Sequence, residues 1–397
     1  MSVYKLTYEQ LLADLHQAYL CARRHKRSKS YQLRFEVRAR ENLRQLATEL
    51  WERSYQPHPS SCFIITDPKK REVFAAEFRD RIVHHLYYNY THEMLERTFI
   101  ADTYSCIRKR GTHYGIARLE RHIRRESQNY TKPCYVLKMD IRGYFMHINR
   151  QRLLDITLRQ LERMGSHRIN KGMPTRWCQL VDMDFVAYLS RLIILLDPID
   201  DCRRRGTLLN WYGLPDSKSL FCSDEGCGLP IGNLTSQLFS NVYLNELDQY
   251  MKRELHCKHY GRYVDDFYVV SADRNWLRSL QRPIATFLAS HLGLSVNANK
   301  TQICNVCYGI EFLGAFLKPH RRYVSRCSLS RIERKVPGLV NTTDPELLRC
   351  RLNSFLGILS HYKAYRIRRR LFYGLRFVYQ YGYYLKGMNK YVFNPPR

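Results

Sequence analysis

The ten residues GRYVDDFYVV, positions 261–270, constrain this chain more than any other stretch. Val264, Phe267, Val269 and Val270 have the apolar, β-branched or aromatic character of a buried strand, and Asp265 and Asp266 interrupt it. Adjacent strand residues point to opposite faces, so two neighbouring carboxylates cannot reach one ion from a regular strand. At the tip of a tight hairpin both can. Unpaired anions are costly to bury, so a positive partner is required. A divalent cation serves: magnesium prefers oxygen ligands, keeps several waters and is shared with substrate phosphates. A third acid is available, because Asp140 ends its own apolar strand in KMDIRGYF. Neighbouring strands of one sheet would bring Asp140 beside Asp265. Such a set can hold two ions about 3.5–4 Å apart, the spacing used for in-line phosphoryl transfer.

The charge of the chain points the same way. Lys and Arg number 65 against 36 Asp and Glu, a formal net charge of +29. That excess repels itself unless a polyanion shares the surface, and nucleic acid is the leading partner. Thirty tyrosines supply flat faces as well as core volume. The 397 residues exceed one simple core and predict two or three subdomains. Thirteen cysteines form no regular disulfide framework, MSVYKLTYEQ is not a signal peptide, and no apolar run approaches a membrane span. The expectation is a cytoplasmic protein with free thiols and no membrane partner. Cys222 and Cys227 together with Cys304 and Cys307 have the donor count for one zinc ion, without a second supporting signal.

Residues 1–55 read as a helical extension. Thr7 and Gln10 have capping-box spacing, Leu11, Leu15 and Tyr19 form an apolar stripe, and Pro57 and Pro59 close the segment. Residues 56–325 alternate strands and helices, with a Gly-, Cys- and Asp-rich insertion at about 200–228. Within them Arg108, Lys109, Arg110 and Gly111 make a compact cationic turn. Residues 326–397 hold 15 Lys and Arg against 3 Asp and Glu. There YRIRRRLFYGLRF predicts a basic helix with apolar backing, whose Arg366, Arg368, Arg369 and Arg370 face nucleic acid.

In this order the motifs resemble those of a reverse transcriptase. YVDD, from Tyr263 to Asp266, matches the third palm motif of that family, and KMDIRGYF matches the strand bearing its first catalytic Asp. NKT, with Lys300, and EFLG, residues 311–314, match later palm elements. FRDRIVHH and CIRKRGTHYGIARL resemble fingers motifs of bacterial, group II intron-like members. The resemblance covers about residues 60–325. It implies an α+β right-hand polymerase fold, with residues 56–325 as fingers and palm, an antiparallel palm sheet, and residues 326–397 as a helical thumb. It also implies an RNA-directed DNA polymerase, a nucleotidyltransferase whose partners are template RNA, a cDNA primer and dNTPs. Asp140, Asp265 and Asp266, with the carbonyl of Ile141, are then expected to hold two Mg2+ ions, with Mn2+ as a substitute. Lys300 would pair with or protonate the pyrophosphate. Phe145 stands where the family places an aromatic ring that clashes with a ribose 2′-hydroxyl. Lys69, Lys70, Arg71, Arg79 and Arg81 lie where the fingers cradle triphosphate, Arg71 and Arg79 foremost. Tyr263, Arg108, Lys109 and Arg110 are expected at the nucleic acid.

One motif narrows the resemblance. Most relatives carry Gln-Gly-x-x-x-Ser-Pro beneath the incoming nucleotide. Here the residues are Ile231, Gly232, Asn233, Leu234, Thr235, Ser236 and Gln237, with Ile in place of Gln and Gln in place of Pro. IGNLTSQLFSNVYLNELD is similar to the version in reverse transcriptases of diversity-generating retroelements, and SFLGILSHYKAYRIRRRL is similar to their thumb. That implies copying of a template-repeat RNA with low fidelity at adenines, for mutagenic retrohoming that diversifies a target gene. It also implies a small basic oligomeric accessory protein as partner. Ile231, Gly232 and Gln237 are expected to line the dNTP. The residues after Gly314 leave room for a thumb, without a ribonuclease H or endonuclease domain. A retron- or phage-defence-type enzyme is the alternative, and a non-catalytic RNA-binding scaffold is disfavoured by the three intact acids.

Overall fold

Thr7 opens the first helix by accepting a hydrogen bond from the Gln10 amide, 3.2 Å away, and helix α1 (Tyr8–Arg23) buries Leu11, Leu15 and Tyr19. In the computed structural model, which describes residues 4–24, 26–67, 69–169 and 174–394, the basic run that follows breaks this helix from α2 (Ser30–Glu36) and α3 (Ala39–Trp51). Strands β1 (Ser60–Ile65) and β2 (Arg71–Ala75) lead into α4 (Phe78–Glu96), then α5 (Thr112–Glu126), β3 (Tyr135–Asp140), α6 (Arg150–Gly165), α7 (Met183–Leu195) and β4 (Cys202–Arg204). The long α8 (Leu234–Arg253) precedes the hairpin β5 (His259–Tyr263) and β6 (Asp266–Ser271), then α9 (Arg274–Ser279), α10 (Gln281–Leu292) and β7 (Gln302–Asn305). The chain finishes with β8 (Ile310–Phe312), β9 (Ala315–Lys318), β10 (Arg321–Val324), α11 (Arg326–Lys335), α12 (Pro345–Ser360), α13 (Tyr365–Phe372), β11 (Gly382–Tyr384) and β12 (Tyr391–Phe393). The architecture is α+β.

Two compact units divide the chain. One comprises Met1–Gly111, Met139–Phe267 and Leu280–Thr301, the other Thr112–Lys138, Tyr268–Ser279 and Gln302–Arg397. One sheet has four strands in the order β5-β6-β3-β7. In the second unit β3 pairs antiparallel with β7, Val136 opposite Cys304. That unit also holds the antiparallel sheet β10-β9-β8.

The first unit holds a sheet of order β2-β1-β4. The β1–β2 pair is antiparallel, Cys62 opposite Phe74, and β4 joins β1 in parallel, Ser60 opposite Cys202. The 200–228 insertion therefore contributes one short strand, Cys202–Arg204, to this sheet. Its anchor is Glu72 on β2, only 1% exposed. The Glu72 carboxylate accepts from Trp211 Nε1 at 2.6 Å, Ser219 Oγ at 3.0 Å and the Leu220 amide at 2.7 Å. Three donors from one segment satisfy a buried anion without a cation, and hold the insertion to the strand.

The C-terminal residues depart from the all-helical expectation, since β11 and β12 form an antiparallel hairpin with Tyr384 opposite Tyr391. Strands this short carry too few alternations to be read from sequence. The thirteen cysteines are free. Cys222 and Cys227 belong to the first unit and Cys304 and Cys307 to the second. Among the described residues no group of three or more His, Cys, Asp or Glu side chains is placed to hold a metal ion. No described helix is long and apolar enough to cross a membrane.

Helix α4 carries one buried and one half-buried histidine that make the first unit acid-sensitive. His84 Nδ1 lies 2.8 Å from Thr235 Oγ1 on α8. Burial, with His85 and Arg81 nearby, lowers the His84 pKa from 6.5 to about 4, and burial with Lys26 does the same to His85. Between these limits the unfolded chain binds more protons than the folded one, so stability is intact above pH 6.5 and falls as pH drops toward 4. Each such proton is worth about 1.4 kcal/mol per pH unit. Thermal unfolding between pH 7 and 4.5 should show this slope, and His84→Gln, which keeps a partner for Thr235, should flatten it. An unchanged slope would remove His84 as the cause.

Candidate active site

The β5–β6 hairpin turns at Val264 and Asp265, which answers how adjacent acids can serve one site. Val264 has φ 56, a left-handed conformation that is strained for a β-branched residue. It frees Asp265 from strand alternation. Asp140 ends β3, and its backbone carbonyl accepts from the Asn297 amide at 2.8 Å. Asn297 Nδ2 and Lys300 Nζ donate to Asp140 Oδ2 at 3.3 and 2.7 Å. Ile141 bridges Val296, so residues 295–297 act as a short strand alongside 140–142.

The electrostatics tie these groups together. Burial first, and then the charge of Asp140, push the Asp265 carboxyl up to about 6, against the opposing charges of Lys300 and Arg71. Lys300 is 59% exposed. Partial burial works against its charge, but its hydrogen bond to Asp140 and the charges of Asp140, Asp265 and Asp266 raise its pKa. The structure thus brings Asp140, Asp265, Asp266 and Lys300 within one electrostatic neighbourhood, with Arg71 at its edge.

A buried network holds the hairpin tip. Arg262, on β5 and 0% exposed, pairs with Asp248 of α8, also 0% exposed, at 2.6 Å. Asp248 also accepts from Tyr260 at 2.6 Å, Arg262 Nε at 2.8 Å and Thr103 at 3.1 Å. Arg262 Nη1 donates to the Val264 carbonyl at 2.9 Å and to Asn241 Oδ1 at 3.3 Å, and Ser105 Oγ accepts from the Val264 amide at 3.1 Å. The strained residue is therefore gripped at both backbone polar groups. Backbone bonds from Tyr104 to Arg262 and from Arg262 to Asp102, each 2.9 Å, add residues 102–104 beside β5. Sequence reasoning passed over Arg262, although a charged side chain inside an apolar strand demands a partner.

Residues expected near a nucleotide gather at a second edge of the same unit. Phe145 and Ile231 both pack against the buried cluster of Cys62, Phe74, Met146 and Leu220. The Phe74 amide donates to the Ile231 carbonyl at 2.9 Å, and the Ala76 amide to Asn233 Oδ1 at 3.3 Å. The start of α8 is thereby stitched to β2. Gly232 has φ +134, and a Cβ there would lie 2.7 Å from the Phe74 carbonyl oxygen. Gly232→Ala should therefore cost about 2–3 kcal/mol of stability. A wild-type denaturation midpoint would show that the edge can give way. Gln237 is exposed on the first turns of α8, and Tyr263 is half-buried.

Several expected phosphate ligands have other partners. Arg79 forms a bidentate pair with Glu49, Nη1 to Oε1 at 3.0 Å, and stacks over Tyr55. A guanidinium neutralised this way is a poor triphosphate ligand, so Arg79 belongs to the packing of α3 on α4. Arg110 turns inward to the carbonyls of Ile100 and Thr103 at 3.2 and 2.9 Å. Arg368 is buried and donates to the carbonyls of Leu359 and Gly387. Arg370 pairs with Glu333. Arg71, Arg108, Lys109, Arg366 and Arg369 remain on the surface, Lys70 donates to the Tyr212 carbonyl, and Arg81 donates to the Ala76 carbonyl at 2.8 Å.

The donor set fits a hard divalent cation bound jointly with substrate. Asp140 and Asp265 are the two carboxylates coupled most closely, Asp265 being raised first by burial and then by the charge of Asp140, and both act with Asp266 on Lys300. Magnesium sites of this kind use one or two carboxylates and complete themselves with water and phosphates.

Residues 201–317 match the family model described as reverse transcriptase (RNA-dependent DNA polymerase). The matched region includes Ile231, Gly232, Gln237, Asp265, Asp266 and Lys300, and begins after Asp140. No curated protein matches the chain. Among solved structures it is similar to apo telomerase from Candida tropicalis, at 12% identity and TM-score 0.47 over 80% of this chain and 56% of that one. It is also similar to telomerase from Candida albicans in complex with a TWJ fragment of telomeric RNA, at 12% identity and TM-score 0.47 over 77% and 52%. The chain thus spans about half the length of those proteins.

Proposed function

We propose that the protein is a reverse transcriptase of right-hand polymerase fold that copies template RNA into DNA from dNTPs, a reading supported by the match of residues 201–317 to the reverse transcriptase family model. The observation that carries this reading is the meeting of Asp140, Asp265 and Lys300 beside a hairpin tip locked by a buried ion pair. In this reading residues 56–325 are fingers and palm, 326–397 the thumb, and 1–55 an extension.

Asp140 and Asp265, with Asp266 and the Ile141 carbonyl, would hold a pair of Mg2+ ions. When bound, these neutralise the triphosphate and lower the pKa of the attacking 3′-hydroxyl. The protein's own groups do the rest. Lys300 Nζ orients Asp140 and offers a proton toward the leaving pyrophosphate. Arg71 offers a guanidinium to the triphosphate. Phe145 and Ile231 form one apolar wall, Phe145 under the sugar, where it favours dNTPs, and Ile231 near the base. Primer extension on an RNA template with dNTPs and Mg2+ tests the reading. Synthesis that persists in an Asp140→Asn variant would sink it.

We further propose that the polymerase serves a diversity-generating retroelement, working with a small basic accessory protein. Support comes from the Ile231–Gln237 motif and from the apolar setting of Ile231. A Gln there could hydrogen-bond near the template–nucleotide pair, whereas Ile gives only shape. Ile231→Gln should lower misincorporation opposite template adenine several-fold with little change opposite other bases, as read by sequencing the products. An unaltered error spectrum would detach fidelity from this residue. If the wild-type chain extends primers only when the accessory protein is added, the pairing is supported.

A further inference from the structure

The C-terminal hairpin is anchored on one face and open on the other. Tyr391 is fully buried, its hydroxyl donates to the Val378 carbonyl at 2.6 Å, and the Asn353 side chain pairs with both its backbone groups, at 2.8 and 2.9 Å. Arg368 holds the hairpin turn by donating to the Gly387 carbonyl at 3.0 Å. These bonds explain why a residue expected at nucleic acid is buried instead. They also make the hairpin a rigid ledge on α12 and α13.

Strand alternation sends Tyr383 to the face opposite Tyr384, and Tyr381 and Leu385 flank the strand at its two ends. Tyr381, Tyr383 and Leu385 are 37%, 46% and 39% exposed, and Tyr383 faces Val392 across the pair. No Asp or Glu occurs after Glu346, a stretch that carries eleven Lys and Arg. Exposed Lys386 and Lys390 flank the turn. An aromatic face set in a purely cationic segment is a poor fit for most protein surfaces. It suits a strand that brings flat bases and phosphates together.

We propose that the outer face of the β11–β12 hairpin is a stacking platform for single-stranded RNA, with bases on Tyr381 and Tyr383 and phosphates on Lys386 and Lys390. The choice of RNA rests on the reverse transcriptase reading, in which the template is the long single strand present. Duplex would be excluded, because paired bases hide their faces.

The test uses the full chain and fluorescence anisotropy with a labelled single-stranded RNA 12-mer, the same sequence in DNA, and an RNA duplex. The double variant Tyr381→Ala/Tyr383→Ala should bind the single-stranded RNA at least ~30-fold more weakly, with duplex binding unchanged. The slope of log affinity against log salt should stay the same, since no charge is lost. Tyr381→Phe/Tyr383→Phe, which keeps both rings, should bind like the wild type. Circular dichroism and thermal midpoints establish that the variants fold. If the alanine variant does not fold, crosslinking of 4-thiouridine RNA to wild-type protein decides, with Tyr381 or Tyr383 in the crosslinked peptide supporting the platform and its absence overturning it. Unchanged RNA binding by a folded alanine variant, an equal loss on duplex, or an effect confined to DNA would each overturn the proposal. So would a change in oligomeric state without a change in RNA affinity, which would mark a protein interface. Asp265→Asn separates this from the polymerase reading, since it should abolish synthesis and leave RNA binding intact.

Discussion

Asp265→Asn is expected to lower primer extension at least ~1,000-fold while leaving the folded protein as stable as wild type or more so. The two effects have one cause. The Asp265 carboxyl is pushed up to about 6 by burial and by Asp140, so at pH 7 the ionised group is disfavoured in the metal-free fold. Its folded pKa lies above the ordinary 3.8. The residue therefore favours the fold when protonated and opposes it increasingly as pH rises through 6. Asn keeps the shape and removes that charge. It also removes a metal ligand, a loss of several kcal/mol in transition-state stabilisation, and each 1.36 kcal/mol is about tenfold in rate. Steady-state extension on RNA and thermal unfolding in EDTA are the paired measurements. A variant that loses activity by unfolding would disconnect the carboxylate from catalysis. One that keeps activity would remove Asp265 from the site.

Asp248→Ala should be the most damaging substitution away from the acids themselves. It strands Arg262 with no exposure to water, and breaking such a pair from one side costs about 3–5 kcal/mol. Tyr260 and Thr103 lose their acceptor at the same time. The double variant Asp248→Leu/Arg262→Met removes both charges and should recover most of the stability, because well-packed apolar replacements of buried pairs are often neutral. Activity should not recover with it. The Val264 carbonyl would have lost its Arg262 donor, so the strained turn would relax and Asp265 would move relative to Asp140. The signature is a raised requirement for Mg2+ in a protein that melts normally. Full activity in the stable double variant would reduce the ion pair to a packing feature.

Much of the candidate site was legible in the strand patterns. An acid at the end of one apolar strand and two in the middle of another made sense only at a turn and a strand end, which is where Asp265 and Asp140 lie. Lys300 was singled out by its place in NKT as a partner of pyrophosphate, and its bond to Asp140 emerged only in the structure. The basic residues were the least legible. A cation is attracted to phosphate and to carboxylate by the same charge, and nothing local distinguishes Arg71, which stays exposed, from Arg79, which meets Glu49 thirty positions away. Arg368 shows the same limit, since its position in a basic run suggested a surface that the hairpin covers. The strand inside the insertion was not legible, because β4 has three residues and its partner strand lies far back in the chain.

Local rules determined what local forces control. Thr7 capped its helix, Val264 and Asp265 became a turn, and the apolar runs on either side became buried strands. These depend on neighbours a few positions apart. Only the tertiary structure decided which charges neutralise one another, because ion pairs such as Arg262–Asp248 and hydrogen bonds such as those of Glu72 form between segments that chain topology brings together. A buried charge demands a partner but does not name it. The fold alone supplies the name.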